Sequence, residues 1–349
     1  MTAASRPGPR SRRRIVWIFA AAVAVTVAVI AAIAAVDGLL GPPVIRVGQM
    51  PQALAVTPDG RTLYVAGPGD FRGDLFVHGH TVTPVSIATG APGTPIRAGD
   101  QPQALAMTPD GSTLYVADNG DTVTPVNVAT GTPATPIRVR HDPVALAVTP
   151  DGRTLYVASE GYAGETGTVL PVTVATGATG TPIPVGNVPM AMVVTPGGRT
   201  LYVANYADGT VTPVDIATGR PGIPLPAGKG PGGLAVTPDG RTLYVADTGD
   251  GLAGGHTVTP VDIATGEPGT PIRVGNGPQA LVVTPDGRTL YVANIDDNTV
   301  TPITIATGRP GGPIRAGHGP QALAVTPDGR TLYVADVLGG TVSVISLKG

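Results

Sequence analysis

Leu-Tyr-Val-Ala returns seven times along this chain, placing Tyr64, Tyr115, Tyr156, Tyr202, Tyr244, Tyr291 and Tyr333 at intervals of 51, 41, 46, 42, 47 and 42 residues. A period near 45, built from short strands and tight turns, predicts a β-propeller, in which each repeat is a sheet that buries its faces only against its neighbours. Four strands are readable per repeat. The inner strand, Gln52–Val56 in the first, is almost wholly apolar, as burial on both faces requires. Thr57-Pro58-Asp59-Gly60-Arg61 then forms a hairpin turn, Pro presetting φ and Gly accepting a positive one. Thr62–Ala66 is the second strand, Thr81–Ile87 the third, and a short outer strand follows around Thr94–Arg97. Six third strands contain a proline (Pro84, Pro125, Pro171, Pro213, Pro260, Pro302), so a bulge or weak outer pairing is expected there. With 50 Gly, 38 Pro and 13% charged residues among 349, the composition suits many short strands and little helix.

The last repeat stops after its third strand, Thr341–Ile345, and a matching outer strand stands at Val44–Val47, ahead of the first repeat. The expected fold is therefore all-β: a seven-bladed propeller of four-stranded blades over 43–349, closed by an N-terminal outer strand. One N-terminal transmembrane helix is expected to precede it. Arg6, Arg10, Arg12, Arg13 and Arg14 lie in a basic tail (1–14), followed by an uncharged apolar run, 15–36, long enough to span a bilayer. The positive-inside rule keeps that tail cytoplasmic and sends the propeller outside, tethered to the cell membrane by a single-pass signal-anchor. A cleaved signal peptide at Ala32-Ile33-Ala34, which would leave the protein secreted, is the alternative. The paired arginines also have a twin-arginine look.

Five of the 22 basic residues lie in this segment, which leaves 17 against 24 acidic ones and a net charge near −7 outside. Without a basic face, nucleic acid is not an expected partner. Cysteine is absent, which removes disulfides, thiolate metal sites and thiol nucleophiles. There is likewise no Gly-x-Ser-x-Gly elbow, His-Glu-x-x-His or phosphate loop.

The repeated Leu-Tyr-Val-Ala, followed by Asp118, Asn205, Asp247, Asn294 or Asp336, resembles the YVTN β-propeller repeat family over residues 43–349. The resemblance implies a propeller of the kind found in bacterial and archaeal surface-layer and secreted proteins. Related seven-bladed folds include lactonases and redox enzymes, so it implies architecture and not a reaction.

Alternating strand direction sorts the connections onto two faces. The Asp-Gly-Arg and Thr-Gly turns share one, the turn face; the variable loops and blade-to-blade connections share the other, the loop face. Asp/Arg pairs such as Asp59/Arg61 ring the turn face and largely cancel. The loop face is irregular, its second-to-third-strand connections running to 14, 9 and 10 residues in blades one, three and five against 4 or 5 elsewhere. It collects all five histidines, His78, His80, His141, His256 and His318, and the non-repeat aromatics Phe71, Phe76, Tyr162 and Tyr206. Arg72, Asp74, Asp142, Glu160, Glu165 and Lys229 complete the candidate binding surface. Glu160 and Glu165 form a carboxylate pair in sequence, but a glycine-rich loop does not fix their separation. A metal would draw on His78, His80 and His318, with the first two pointing one way along a strand. No third ligand is fixed, and neither metal nor cofactor is expected. Gln52, Gln103, Gln279 and Gln321 open inner strands at the mouth of the central channel, where they can satisfy exposed backbone or meet a ligand.

The reading that follows is a monomeric, membrane-anchored, extracytoplasmic binding or interaction module whose loop face contacts an envelope protein, a glycan or a small ligand. A lactonase- or hydrolase-like enzyme, with its site at the channel mouth and no catalytic residue named, is the alternative.

Overall fold

The structure, a computed structural model, describes residues 41–47, 50–67, 69–72, 75–139, 142–160, 166–249 and 254–347, with backbone alone at 70–72 and 75–78. The basic tail, the apolar run and most of the 37–42 linker lie outside the described residues, as do Asp74, His141, Tyr162 and Glu165. No helix among the described residues is long and apolar enough to cross a membrane.

Seven antiparallel sheets succeed one another within the compact unit Val44–Gly349 and form the blades of a propeller. Blade four shows the plan: Pro189–Val194 inside, then Thr200–Asn205 and Thr210–Asp215, with Arg220–Pro221 and Leu225–Pro226 sharing the outer position. In blade seven the outer position beside Thr341–Ser346 is held by Val44–Arg46, with Ile45 opposite Val342. Inner strands touch their neighbours around the ring, Ala53–Val56 of blade one lying against Pro320–Val325 of blade seven.

The second strand accounts for the repeated tetrapeptide. Side chains alternate across a strand, so Leu201 and Val203 pack towards blade three with Tyr156 and Val169, while Tyr202 and Ala204 pack towards blade five with Leu234 and Leu243. All four are buried. An equivalent cluster fills each of the seven blade interfaces. A Leu or Val there contributes about 1.5–3 kcal/mol by leaving water, which is why Leu-Tyr-Val-Ala persists where loops vary.

The third-strand prolines produce no bulge. Tyr64 faces Pro84 in an unbroken register, as Tyr115 faces Pro125 and Tyr202 faces Pro213. The reason is the direction of the missing donor. The Pro84 carbonyl accepts from Gly93 N at 2.7 Å on the outer side, so the proline nitrogen also points outward and the ladder to strand two loses nothing. Outer pairing is consequently split: in blade two, Thr132–Pro133 pairs beside Val126–Asn127 and Ile137–Arg138 beside Thr122–Val123, with Pro125 between. The bulges lie in the inner strands instead, between Pro102 and Ala104 and at the matching position of blades three to seven.

Two of the variable loops turn out to contain strand. In blade one, Gly69–Arg72 and Leu75–His78 form a separate hairpin, and in blade five the second and third strands run on to Gly249 and back from Gly254. On the turn face, Thr57 Oγ1 donates to Asp59 Oδ1 at 2.6 Å and Arg61 N donates to the same oxygen at 3.0 Å. Those bonds, the Thr57 hydroxyl foremost, hold the Asp59 carboxyl below its ordinary pKa. The Arg61 Nε to Asp59 Oδ2 contact is a loose 3.8 Å.

Strand two ends on a buried polar residue. Asn205 takes Gly186 N at 3.1 Å on its oxygen and donates its amide to the hydroxyls of Thr210 at 3.1 Å and Thr212 at 2.8 Å. Asn294 donates likewise to Thr299 and Thr301. Asp336 occupies the same position in blade seven, accepting from Gly317 N at 2.9 Å, Ser343 Oγ at 2.7 Å and Thr341 Oγ1 at 3.2 Å. Burial raises the pKa of Asp336 and of its blade-two counterpart Asp118.

Candidate functional site

Each inner strand enters from the loop face as Pro followed by one variable residue and a small one. In blade two the register passes from Pro102 opposite Asp118 to Ala104 opposite Ala117, so Gln103 is the unpaired residue of the bulge. Bulges re-aim side chains, and this one turns the variable residue to the channel. Around the ring the position reads Gln52, Gln103, Val144, Met190, Gly232, Gln279 and Gln321. All seven line one cavity of about 320 Å³, together with Glu160, Ala191, Gly233, Leu234, Ala280 and Leu281.

The wall is two-sided. Blades six, seven, one and two present an unbroken arc of four amides; blades three, four and five present Val144, Met190 and Gly232, with Glu160 beside them at the end of Thr154–Ser159. Blade five is glycine at two successive positions for steric reasons. A Cβ on Gly233 would stand 2.6 Å from the Gln279 carbonyl oxygen of blade six, and one on Gly232 would collide with Thr248. Thr248 is itself committed, its hydroxyl donating to the Pro278 carbonyl at 2.7 Å.

Among the described residues, none of the four glutamine side chains and neither oxygen of Glu160 is hydrogen-bonded to protein. The amides therefore do not cap backbone at the channel mouth. Each amide offers two donors and an acceptor, so the half-buried wall faces the cavity with its hydrogen-bonding capacity unspent.

The other candidates are spread around the loop face. His80 follows the hairpin strand that ends at His78, so the two do not share a strand face; its Nδ1 lies 3.1 Å from Asp100 Oδ1. Among the described residues no three His, Asp or Glu gather as metal ligands. His256 is exposed on Gly254–Asp262, and His318 is engaged through its carbonyl, which accepts from Leu338 N at 3.1 Å. Tyr206 covers the connection into blade five, where a Cβ on Gly230 would come within 2.8 Å of its ring. Asp142, at φ 38°, donates its N–H to Asp121 Oδ1 at 3.1 Å, and Lys229 is exposed, its carbonyl accepting from Gly249 N at 3.0 Å. Phe71, Arg72, Phe76 and His78 sit on the blade-one hairpin. The structure thus brings together the glutamines and Glu160. Sequence reasoning missed Val144, Met190, Gly232, Leu234 and Leu281; their signal was the position after the inner-strand proline, read across all seven repeats.

A family model described as YNCE-like beta-propeller matches residues 23–335. Among solved structures, 1812 chains match, so likeness of fold selects no function by itself. One is a chain of Kuenenia stuttgartiensis hydrazine synthase, with a TM-score of 0.75 and 22% identity over 88% of this chain and 97% of that one. At that identity the likeness is one of fold. No curated protein matches.

Proposed function

The chain belongs to the YNCE-like β-propeller family, and since that membership fixes a scaffold and not a reaction, we propose that it is a binding module taking a small polar ligand at the loop-face mouth of its channel. The observation that carries this is the arc of four unspent amides beside Glu160 on a cavity of about 320 Å³. That volume is at the small end of ligand pockets, which typically pair apolar walls with a few convergent polar groups. Glu160 is the one titratable side chain on the described wall, which favours binding over acid–base chemistry needing two groups within reach.

A test uses the full-length protein with a dialysed small-molecule fraction of its own cell envelope. Ligand that binds only the folded state stabilises it by about 2.7 kcal/mol at a hundredfold excess over Kd. The wild-type melting midpoint is expected to rise in that fraction, and the midpoint of a Gln279→Ala, Gln321→Ala double variant is not. An equal rise in both would remove the cavity from the proposal.

In the same proposal the apolar run 15–36 anchors the chain in the cell membrane, the ring is closed by the N-terminal outer strand, and the loop face looks away from the bilayer. In support, Val44–Arg46 runs antiparallel to Thr341–Ser346 and so leads from the turn-face end to the loop-face end. The six residues 37–42 reach only about 20 Å. Because the chain has no cysteine, single-cysteine labelling on intact cells reads the orientation. Ala207 and Ala217 are both exposed and lie on opposite faces of blade four. Ala207→Cys is expected to react with a bulky impermeant reagent several-fold faster than Ala217→Cys; equal rates would contradict the orientation.

A further inference from the structure

We propose that the ligand carries a protonated amine on a compact, hydroxyl-bearing body of about hexosamine size; this deepens the binding reading above and rests on it. The carboxylate of Glu160 on the wall of a half-enclosed cavity, with no cation among the described lining residues to compensate it, is satisfied best by a cation brought by the ligand. The surroundings reinforce that sign. Among the described residues, the loop-face connections hold Asp100, Asp121, Asp142, Asp208, Asp296 and Asp297 against a single Lys229. On the blade-one hairpin Asp70 and Arg72 offset each other in charge. Arginines such as Arg97, Arg138, Arg273 and Arg315 lie on outer strands. Three strand spacings separate these from the inner strands, roughly 14 Å, which exceeds the screening length of about 8 Å at physiological salt. The field at the mouth is therefore negative and draws cations in.

The neutral part of the wall describes the rest of the ligand. Gln279, Gln321, Gln52 and Gln103 stand on four consecutive blades. Amides that both donate and accept match hydroxyl groups, which do the same. Val144, Met190 and Leu234 line the remaining arc and suit a C–H face. About 320 Å³ admits one sugar-sized molecule and not a long chain.

Calorimetric titration of the full-length protein in detergent with D-glucosamine and with D-glucose, at a pH where the amine is protonated and at low salt, tests the assignment. Glucosamine is expected to bind at least about tenfold tighter than glucose, the size of one charged hydrogen bond. Glu160→Gln is expected to bring that ratio close to one without moving the melting midpoint. Gln279→Ala is expected to weaken both sugars in parallel, and added salt to shrink the ratio. Equal affinities in the wild type, or a ratio that survives Glu160→Gln, would overturn the amine; if both sugars still bind and still depend on Gln279, the cavity reading stands. Failure of glucosamine to bind overturns the hexosamine assignment, and the envelope-fraction melt then decides the cavity reading separately.

Discussion

Leu201→Ala is expected to lower the unfolding free energy by about 3–5 kcal/mol, the range for deleting a buried leucine when the surrounding core cannot collapse into the space. Leu201 has no exposed surface and sits between Tyr156 and Val169 of blade three and Val203 and Val214 of its own blade. Blades are rigid sheets packed face to face around a ring, so one interface cannot close without straining the others. Denaturant unfolding measures the loss. Leu338 is 70% exposed and supplies the control; Leu338→Ala should change stability by less than about 0.5 kcal/mol. Similar losses at both positions would mean that the blade interfaces do not hold the ring.

Asp336→Asn should make the protein more stable at pH 7. The carboxyl has no exposed surface, and desolvation raises its folded pKa above the ordinary 3.8. The folded state therefore holds the proton more tightly than the unfolded one. Stability on this account is greatest below the ordinary carboxylate value, falls as pH rises through the raised folded pKa, and stays lower at neutrality. Asparagine removes that loss. It also fits the site, since Asn205 and Asn294 fill the same place in blades four and six, both donating to Thr hydroxyls, and Asn205 accepts from Gly186 N as Asp336 does from Gly317 N. A rise of roughly 2–4 °C in the melting midpoint at pH 7, shrinking towards acid, is expected for a change of about 1 kcal/mol. The reverse exchange, Asn205→Asp, should be destabilising at the same pH. A lower midpoint for Asp336→Asn would show that the three hydrogen bonds to the carboxylate outweigh its burial.

How far each feature was legible depended on whether the chain repeats it. Tyr64 through Tyr333 mark a position that can hold only a residue filling a blade interface, so blade number and strand order follow from counting. At the third-strand prolines a bulge or weak outer pairing is expected; the bulge is absent, while the outer pairing is indeed broken into two short pieces around Pro125. Whether a strand proline interrupts its ladder depends on which way its nitrogen points, and spacing does not tell that. The bulge sits after Pro102, with only a pair of residues, Gln103 and Ala104, to announce it. In Phe71-Arg72-Gly73-Asp74-Leu75-Phe76, Gly-Asp between two short segments is a hairpin signal that the length of the 67–80 connection hides. At the channel, the glutamines were found because amides are conspicuous. Val144, Met190 and Gly232 hold the same register and were not, since nothing in an isolated apolar residue says that it faces a cavity. Glu160 reads from the sequence as a loop-face candidate beside Glu165 and not as a neighbour of the glutamines, because its distance along the chain from any of them hides their meeting across blades.

The account stands or falls on whether the unspent amides at the channel mouth hold something. Immobilised full-length protein, exposed to the small-molecule fraction of its own cell envelope and then eluted for mass spectrometry, answers this directly. The wild type should retain at least one species that the Gln279→Ala, Gln321→Ala double variant, equally folded, does not. Identical eluates from the two would contradict the assignment of this cavity as the binding site.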